Sequence, residues 1–130
     1  MERLAEVRQF VQERATKLGV DADLIPDLLL AVDEAVTNII VHGYDGRKGF
    51  VEIEMGRDGD ALVIRLRDEA EPFDPTRVPP LDLGLSREER VLNGMGVYFM
   101  RQATDEMAHR ITLQRGNELT LVKRGLGARE

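Results

Sequence analysis

The chain has 130 residues, enough for one domain with a sizeable core. Its 42% of hydrophobic residues argues against disorder throughout, and the lack of cysteine excludes disulfides, thiolate metal sites and a cysteine nucleophile. A formal net charge of −6 disfavours a general nucleic-acid or anionic-membrane surface, and two histidines, His42 and His109, are too few and too isolated for a zinc site.

Leu4, Val7, Val11, Ala15 and Leu18 share one face of a helix expected from Glu2 to Leu18, and Gly19 is its stop signal. Asp21 or Asp23 caps a second helix, and Pro26 falls in its first turn, where the missing N–H costs nothing. Leu24, Leu28, Leu29, Val32, Val36, Ile39 and Ile40 carry its apolar stripe to about Val41, before a loop from Gly43 to Gly49. Phe50, Val51, Ile53 and Met55 then alternate with Glu52 and Glu54 as a half-buried strand. Arg57-Asp58-Gly59-Asp60 reads as a hairpin turn with Asp-Gly at its centre, and Leu62, Ile64 and Leu66 mark a return strand ending close to Asp68.

Residues 69–93 hold Pro72, Pro75, Pro79 and Pro80 and are expected to form an irregular connection with a short helix at Ser86–Val91. A long connection of this kind in a compact domain is usually functional or disordered. Val97, Tyr98, Met100 and Ala103 give a helix that follows Gly94-Met95-Gly96 and ends near Asp105. Ile111 and Leu113, a turn at Arg115–Glu118, and then Leu119, Leu121 and Val122 predict a second hairpin, followed by a frayed tail. These elements describe an α+β sandwich of two layers, with helices on one face of a mostly antiparallel sheet. No apolar run reaches membrane-span length and Met1 to Val11 is charged throughout, so a cytoplasmic protein is expected.

Three polar spots fall at element ends. Glu34 and Asn38 stand four apart, so a helix projects both from one face. An amide oxygen suits Mg²⁺, and a carboxylate beside it can take a proton from an attacking hydroxyl or water. Asp68 closes an apolar strand, where it can accept a hydrogen bond from an exocyclic amine such as that of adenine. Gly94 and Gly96 open a helix, where phosphate can approach backbone N–H groups.

Glu-x-x-x-Asn on a helix, then Asp68 with Phe73-Asp74-Pro75 after a strand, then Gly-x-Gly at a helix start: this order resembles the anti-sigma-factor serine/threonine kinases. These are the RsbW-like branch of the GHKL, or histidine-kinase-like, ATPase superfamily. The likeness extends over nearly the whole chain. It implies a Bergerat-type ATP-binding domain over residues 1–124 with a tail at 125–130, using ATP and Mg²⁺. It further implies Asn38 as the Mg²⁺ ligand, Glu34 as general base, Asp68 as adenine acceptor, and Gly94 and Gly96 as phosphate contacts beneath a lid. Ala70 and Phe73 would border the base, and Thr120 would support it through water. The implied partners are an anti-sigma-factor antagonist, phosphorylated on Ser or Thr, and a sequestered sigma factor or similar regulator, with no direct nucleic acid and no membrane. The alternative is a nucleotide-dependent switch that binds its partner without phosphorylating it.

Three departures from the pattern stand out. Ala70 replaces a glycine that many relatives place beside adenine; its methyl would narrow the pocket and weaken affinity unless the backbone conformation accommodates it. The arginine that relatives place close to the glycines is not in the same register in Arg90-Val91-Leu92-Asn93, and Arg87 or Arg90 could swing in to balance γ-phosphate charge, neither being assigned. Met1 runs straight into a helix where relatives usually begin with a strand; a missing edge strand would leave backbone unpaired, or make a homodimer or partner contact replace it.

Overall fold

The computed structural model describes residues 4–40, 44, 49–72, 74–77, 95–113 and 116–126. The first helix, α1, spans Leu4–Lys17. It closes with Gly19 at φ 79, the Gly19 N–H donating to the Thr16 carbonyl and the Val20 N–H to the Ala15 carbonyl. That pair of bonds satisfies carbonyls the helix end would otherwise leave bare, and it needs a left-handed residue at position 19. Asp21, not Asp23, is the capping side chain: its carboxylate accepts from the Asp23 N–H at 2.9 Å and starts a single tight turn, Ala22–Leu24. The second helix, α2, follows without a break at Ile25–Asn38 and buries Ile25, Leu28, Ala31, Val32, Ala35 and Val36 along one stripe. Its last turn widens at Ile39 and Ile40, and the Tyr44 N–H donates to the Ile39 carbonyl.

Strands β1 (Val51–Asp58) and β2 (Ala61–Asp68) form the first hairpin. Asp58 pairs with Ala61, so Gly59 and Asp60 are the central turn residues, one position later than the Asp-Gly reading. The backbone reason is Gly59 at φ 61, a conformation that a side chain at the first central position resists. The third helix, α3, runs from Met95 to Ala103. Strand β3 then starts at Glu106 and ends at Ile111, and β4 runs from Asn117 to Lys123. The second hairpin thus begins earlier than its apolar pattern predicts, because His109 occupies an inward position between Met107 and Ile111. Leu113 lies in the connecting loop, 97% exposed, while Asn117 and Glu118 belong to β4 instead of the turn.

The sheet order is β1-β2-β4-β3, with every neighbouring pair antiparallel. Leu62, Ile64 and Leu66 of β2 face the helices together with Leu119 and Leu121 of β4, and they pack with Val11, Leu28, Val32, Val97 and Met100. The expected two-layer α+β architecture, helices on one face, is what forms. The other face carries a row of alternating charge across all four strands, Glu52 beside Arg67, Arg67 beside Glu118, Glu118 beside Arg110. Arg67 donates to Glu118 at 2.7 Å and to Glu52 at 2.8 Å, and Arg110 donates to Glu118 at 2.8 Å. Hydrogen bonds from Arg110 and then Arg67 hold the Glu118 carboxyl down to about 2, against the opposing effect of burial. Beyond β4 the chain remains engaged: the Leu126 N–H donates to the Asp60 carbonyl and its side chain packs on the core. The expected short helix at Ser86–Val91 lies outside the described residues.

Candidate functional site

Two element ends converge at one end of the sheet. Because α2 carries its apolar stripe on one side only, its final two turns present Asp33, Glu34 and Asn38 away from the core. The Arg8 guanidinium on α1 donates to the Asp33 carboxylate at 2.6 Å, which fixes that residue as a helix-to-helix tie. Glu34, half-buried beside it, has its carboxyl raised above the ordinary value, first by desolvation and then by the neighbouring Asp33 charge. Among the described residues no hydrogen bond claims the carboxylate of Glu34 or the amide of Asn38. Both groups are free to act on something that arrives.

Asp68 ends β2 on the helix side of the sheet, 5% exposed. It lines a recess with Asn38, Ala35 and Ile39 of the α2 end and with His109, Asn117 and Leu119 of the second hairpin. Its Oδ1 accepts from the Ala70 N–H at 2.9 Å and from the Asn117 amide at 2.9 Å. With both bonds gathered on Oδ1, Oδ2 is left to accept from a ligand. A carboxylate held this way in an apolar recess selects a donor such as an amino group and repels an oxo group.

The approach of β4 to this turn is unusually close. A Cβ on Gly116 would collide with the Asp68 carbonyl oxygen, so no other residue fits there without moving backbone. Tyr44 ties in the end of α2: its hydroxyl donates to the Phe50 carbonyl at 2.7 Å and accepts from the Glu69 N–H at 2.7 Å. Farther along, the Asp74 carboxylate accepts from Thr76 and caps the short turn at Pro75–Arg77, and Arg101 of α3 donates to the Thr76 carbonyl at 3.1 Å.

Of the site residues read from sequence, Asn38 and Asp68 come together in this recess, with Glu34 one helical turn from Asn38. Ala70 sits beside them, 5% exposed, and contributes its backbone N–H to Asp68. Gly96 is the second residue of α3, as the helix-opening reading anticipates. Phe73 and Gly94 lie outside the described residues, as does His42. Thr120 is not brought to the recess: it pairs with Arg65 and Ala108, on the charged outer face with Glu118, because alternate residues of a strand point to opposite sides. The β4 residue that does reach Asp68 is Asn117. Locally, Gly116-Asn117 is an ordinary turn signal and His109 an isolated histidine, so neither marks a site; the one available sign is that position 117 shares strand parity with the buried Leu119 and Leu121.

An antiparallel four-stranded sheet layered with helices, and a carboxylate recess between its end and an Asn-bearing helix, define an ATPase domain of the histidine-kinase type. A family model for the histidine kinase-like ATPase domain matches residues 1–123, and the chain belongs to this family. It is similar to the anti-sigma F factor of Thermoanaerobacter sp. (strain X514), 30% identical over 116 residues that cover 89% of this chain and 81% of the relative. It is likewise similar to the serine-protein kinase RsbW of Bacillus cereus (strain Q1), 31% identical over 110 residues that cover 82% of this chain and 69% of the relative. Among the described residues no helix is long and apolar enough to cross a membrane.

Proposed function

We propose that this chain is an ATP-dependent serine/threonine protein kinase acting as an anti-sigma regulatory factor, with an anti-sigma-factor antagonist as its substrate and a sigma factor as the regulator it holds. One observation carries the reading. Asn38 and Asp68, 30 positions apart in sequence, line a single recess, with an unpaired carboxylate whose proton affinity is raised standing one turn away at Glu34. The relatives named as an anti-sigma factor and a serine-protein kinase support the same reading.

The donor set fits Mg²⁺ delivered with a nucleotide. Among the described residues no three His, Asp or Glu side chains gather into a cage, and Asn38 offers one neutral oxygen free of hydrogen bonds. Asn38 would hold the ion through its side-chain oxygen, and the ion would supply neutralisation of the nucleotide's phosphate charge.

The residues of the chain supply the rest. Asp68 Oδ2 accepts the adenine amine and so orients the base. Glu34 accepts the proton of a partner Ser or Thr hydroxyl as its oxygen bonds to the γ-phosphorus and the bond from that phosphorus to ADP breaks. Desolvation of Glu34 helps, because a carboxyl titrating closer to neutrality is a stronger base in its ionised form. Most of the acceleration then comes from positioning.

The test is incubation with γ-labelled ATP and candidate anti-sigma-factor antagonist proteins from the same organism. Label on a partner Ser or Thr is the expected result. Tight ATP binding without transfer to any of them would replace the kinase with a nucleotide-dependent switch.

A further inference from the structure

Resting on the reading of the recess as a nucleotide site, we infer that His109 and Asn117 are positioning residues that act through Asp68 to select a 6-amino over a 6-oxo purine nucleotide. The geometry fixes the direction of every group. The Asn117 amide nitrogen faces three oxygens: Asp68 Oδ1 at 2.9 Å, the Glu71 carbonyl at 3.2 Å and the Ala70 carbonyl at 3.4 Å. Only the NH₂ end of the amide can face acceptors alone, so its Oδ1 is turned to His109 Nε2, which lies 2.6 Å away. His109 therefore donates from Nε2, an N–H present both in that neutral tautomer and in the charged ring.

The relay is buried throughout. Asp68 is 5% exposed, Asn117 7% and the His109 side chain 6%. In such surroundings a lost partner leaves a buried polar group unpaired, and each bond restrains the next. His109 fixes which way the Asn117 amide points. Asn117 in turn pins Asp68 Oδ1 and, through its two carbonyl contacts, the backbone of residues 70 and 71. What remains open to a ligand is an acceptor, Oδ2, at a set angle. An exocyclic amine completes it, whereas a 6-oxo group meets a second oxygen with no proton between them. If His109 were unable to donate, the amide could turn its oxygen toward Asp68, and the carboxylate would lose both its restraint and its preference.

The experiment compares Mg²⁺-dependent binding of ATP and ITP, by calorimetry, in the wild-type chain and in Asn117→Ala, His109→Phe and His109→Gln. The wild type should prefer ATP by roughly a hundredfold, and His109→Phe and Asn117→Ala should each cut that preference by about tenfold or more while ITP affinity changes less than about threefold. His109→Gln retains an N–H near the Nε2 position and should restore most of the preference. His109→Phe keeps the ring volume, so it reports even where Asn117→Ala fails to fold. An ATP-to-ITP ratio in His109→Phe within about twofold of wild type, in a chain that melts cooperatively, would overturn the inference and leave the nucleotide site standing. A wild-type chain that binds ATP and ITP equally would do the same. Binding of neither nucleotide would remove both readings.

Discussion

At the scale of single residues, Glu34 is the group whose environment and proposed task agree most closely. Its carboxyl is raised by burial first and by the Asp33 charge second. A raised carboxyl gives its stabilising contribution below its unfolded value and loses it as pH rises through the folded one, so the ionised form at neutral pH is a burden on the fold. Glu34→Gln should therefore raise the melting temperature at neutral pH while cutting phosphotransfer by about 10²- to 10⁴-fold with ATP binding kept. Thermal melts and single-turnover transfer measure the two halves, and a variant that is both less stable and fully active would contradict the assignment. In the wild type the same shift puts the acid limb of the pH–rate profile above the ordinary glutamate value. Asp33→Asn should move that limb toward lower pH, since it removes the neighbouring charge.

At the scale of elements, the outer face of the sheet shows how four strands are held in register without a second apolar layer. The row Glu52–Arg67–Glu118–Arg110 crosses every strand, and at its centre stands a buried carboxylate, Glu118. Held down to about 2 from 4.5, Glu118 contributes stability that is fully present above the ordinary glutamate range and lost as pH falls toward 2. Arg110 has the larger influence on that carboxyl and Arg67 the smaller, but Arg110 is the more exposed of the two, so solvent screens its share more. Glu118→Gln should lower unfolding free energy by roughly 1–3 kcal/mol at pH 7 and flatten its decline in acid. Urea titrations from pH 7 down to 3 read this directly, and parallel declines in wild type and variant would mean that other carboxylates set the acid limit.

At the scale of the whole molecule, one apolar core joins the helices α1, α2 and α3 to the sheet, and the recess lies at the edge of it. Leu66 is fully buried in β2, two residues before Asp68 on the same face, and it pairs with Leu119. Leu66→Ala should cost about 2–5 kcal/mol, with the urea m-value unchanged if unfolding stays two-state. Nucleotide affinity should fall in the same variant at temperatures well below its melt, because Asp68 and Asn117 are presented by the two strands that Leu66 and Leu119 hold together. A stability loss without any loss of affinity would show that the recess is rigid independently of the core beneath it.

Periodicity and local chemistry were enough to place α1, α2, the first hairpin, the helix after Gly94 and the antiparallel two-layer plan. Each of these is written in short-range order: the apolar stripe of α2, the glycine past α1, the alternation that ends at Asp68. The same information marked Glu34, Asn38 and Asp68 as chemistry, since a polar side chain at the end of an apolar element is visible locally. What it could not supply is pairing across the sheet. Thr120 and Asn117 are both polar residues of one strand, and their roles separate only when register sets one against Arg65 and the other against Asp68. His109 likewise reads as an isolated histidine until β3 lies beside β4 and turns it toward Asn117. Strand parity changes a residue's face with every step along the chain, and partnership between distant segments is fixed by packing of the whole core, so those assignments belong to the tertiary structure alone.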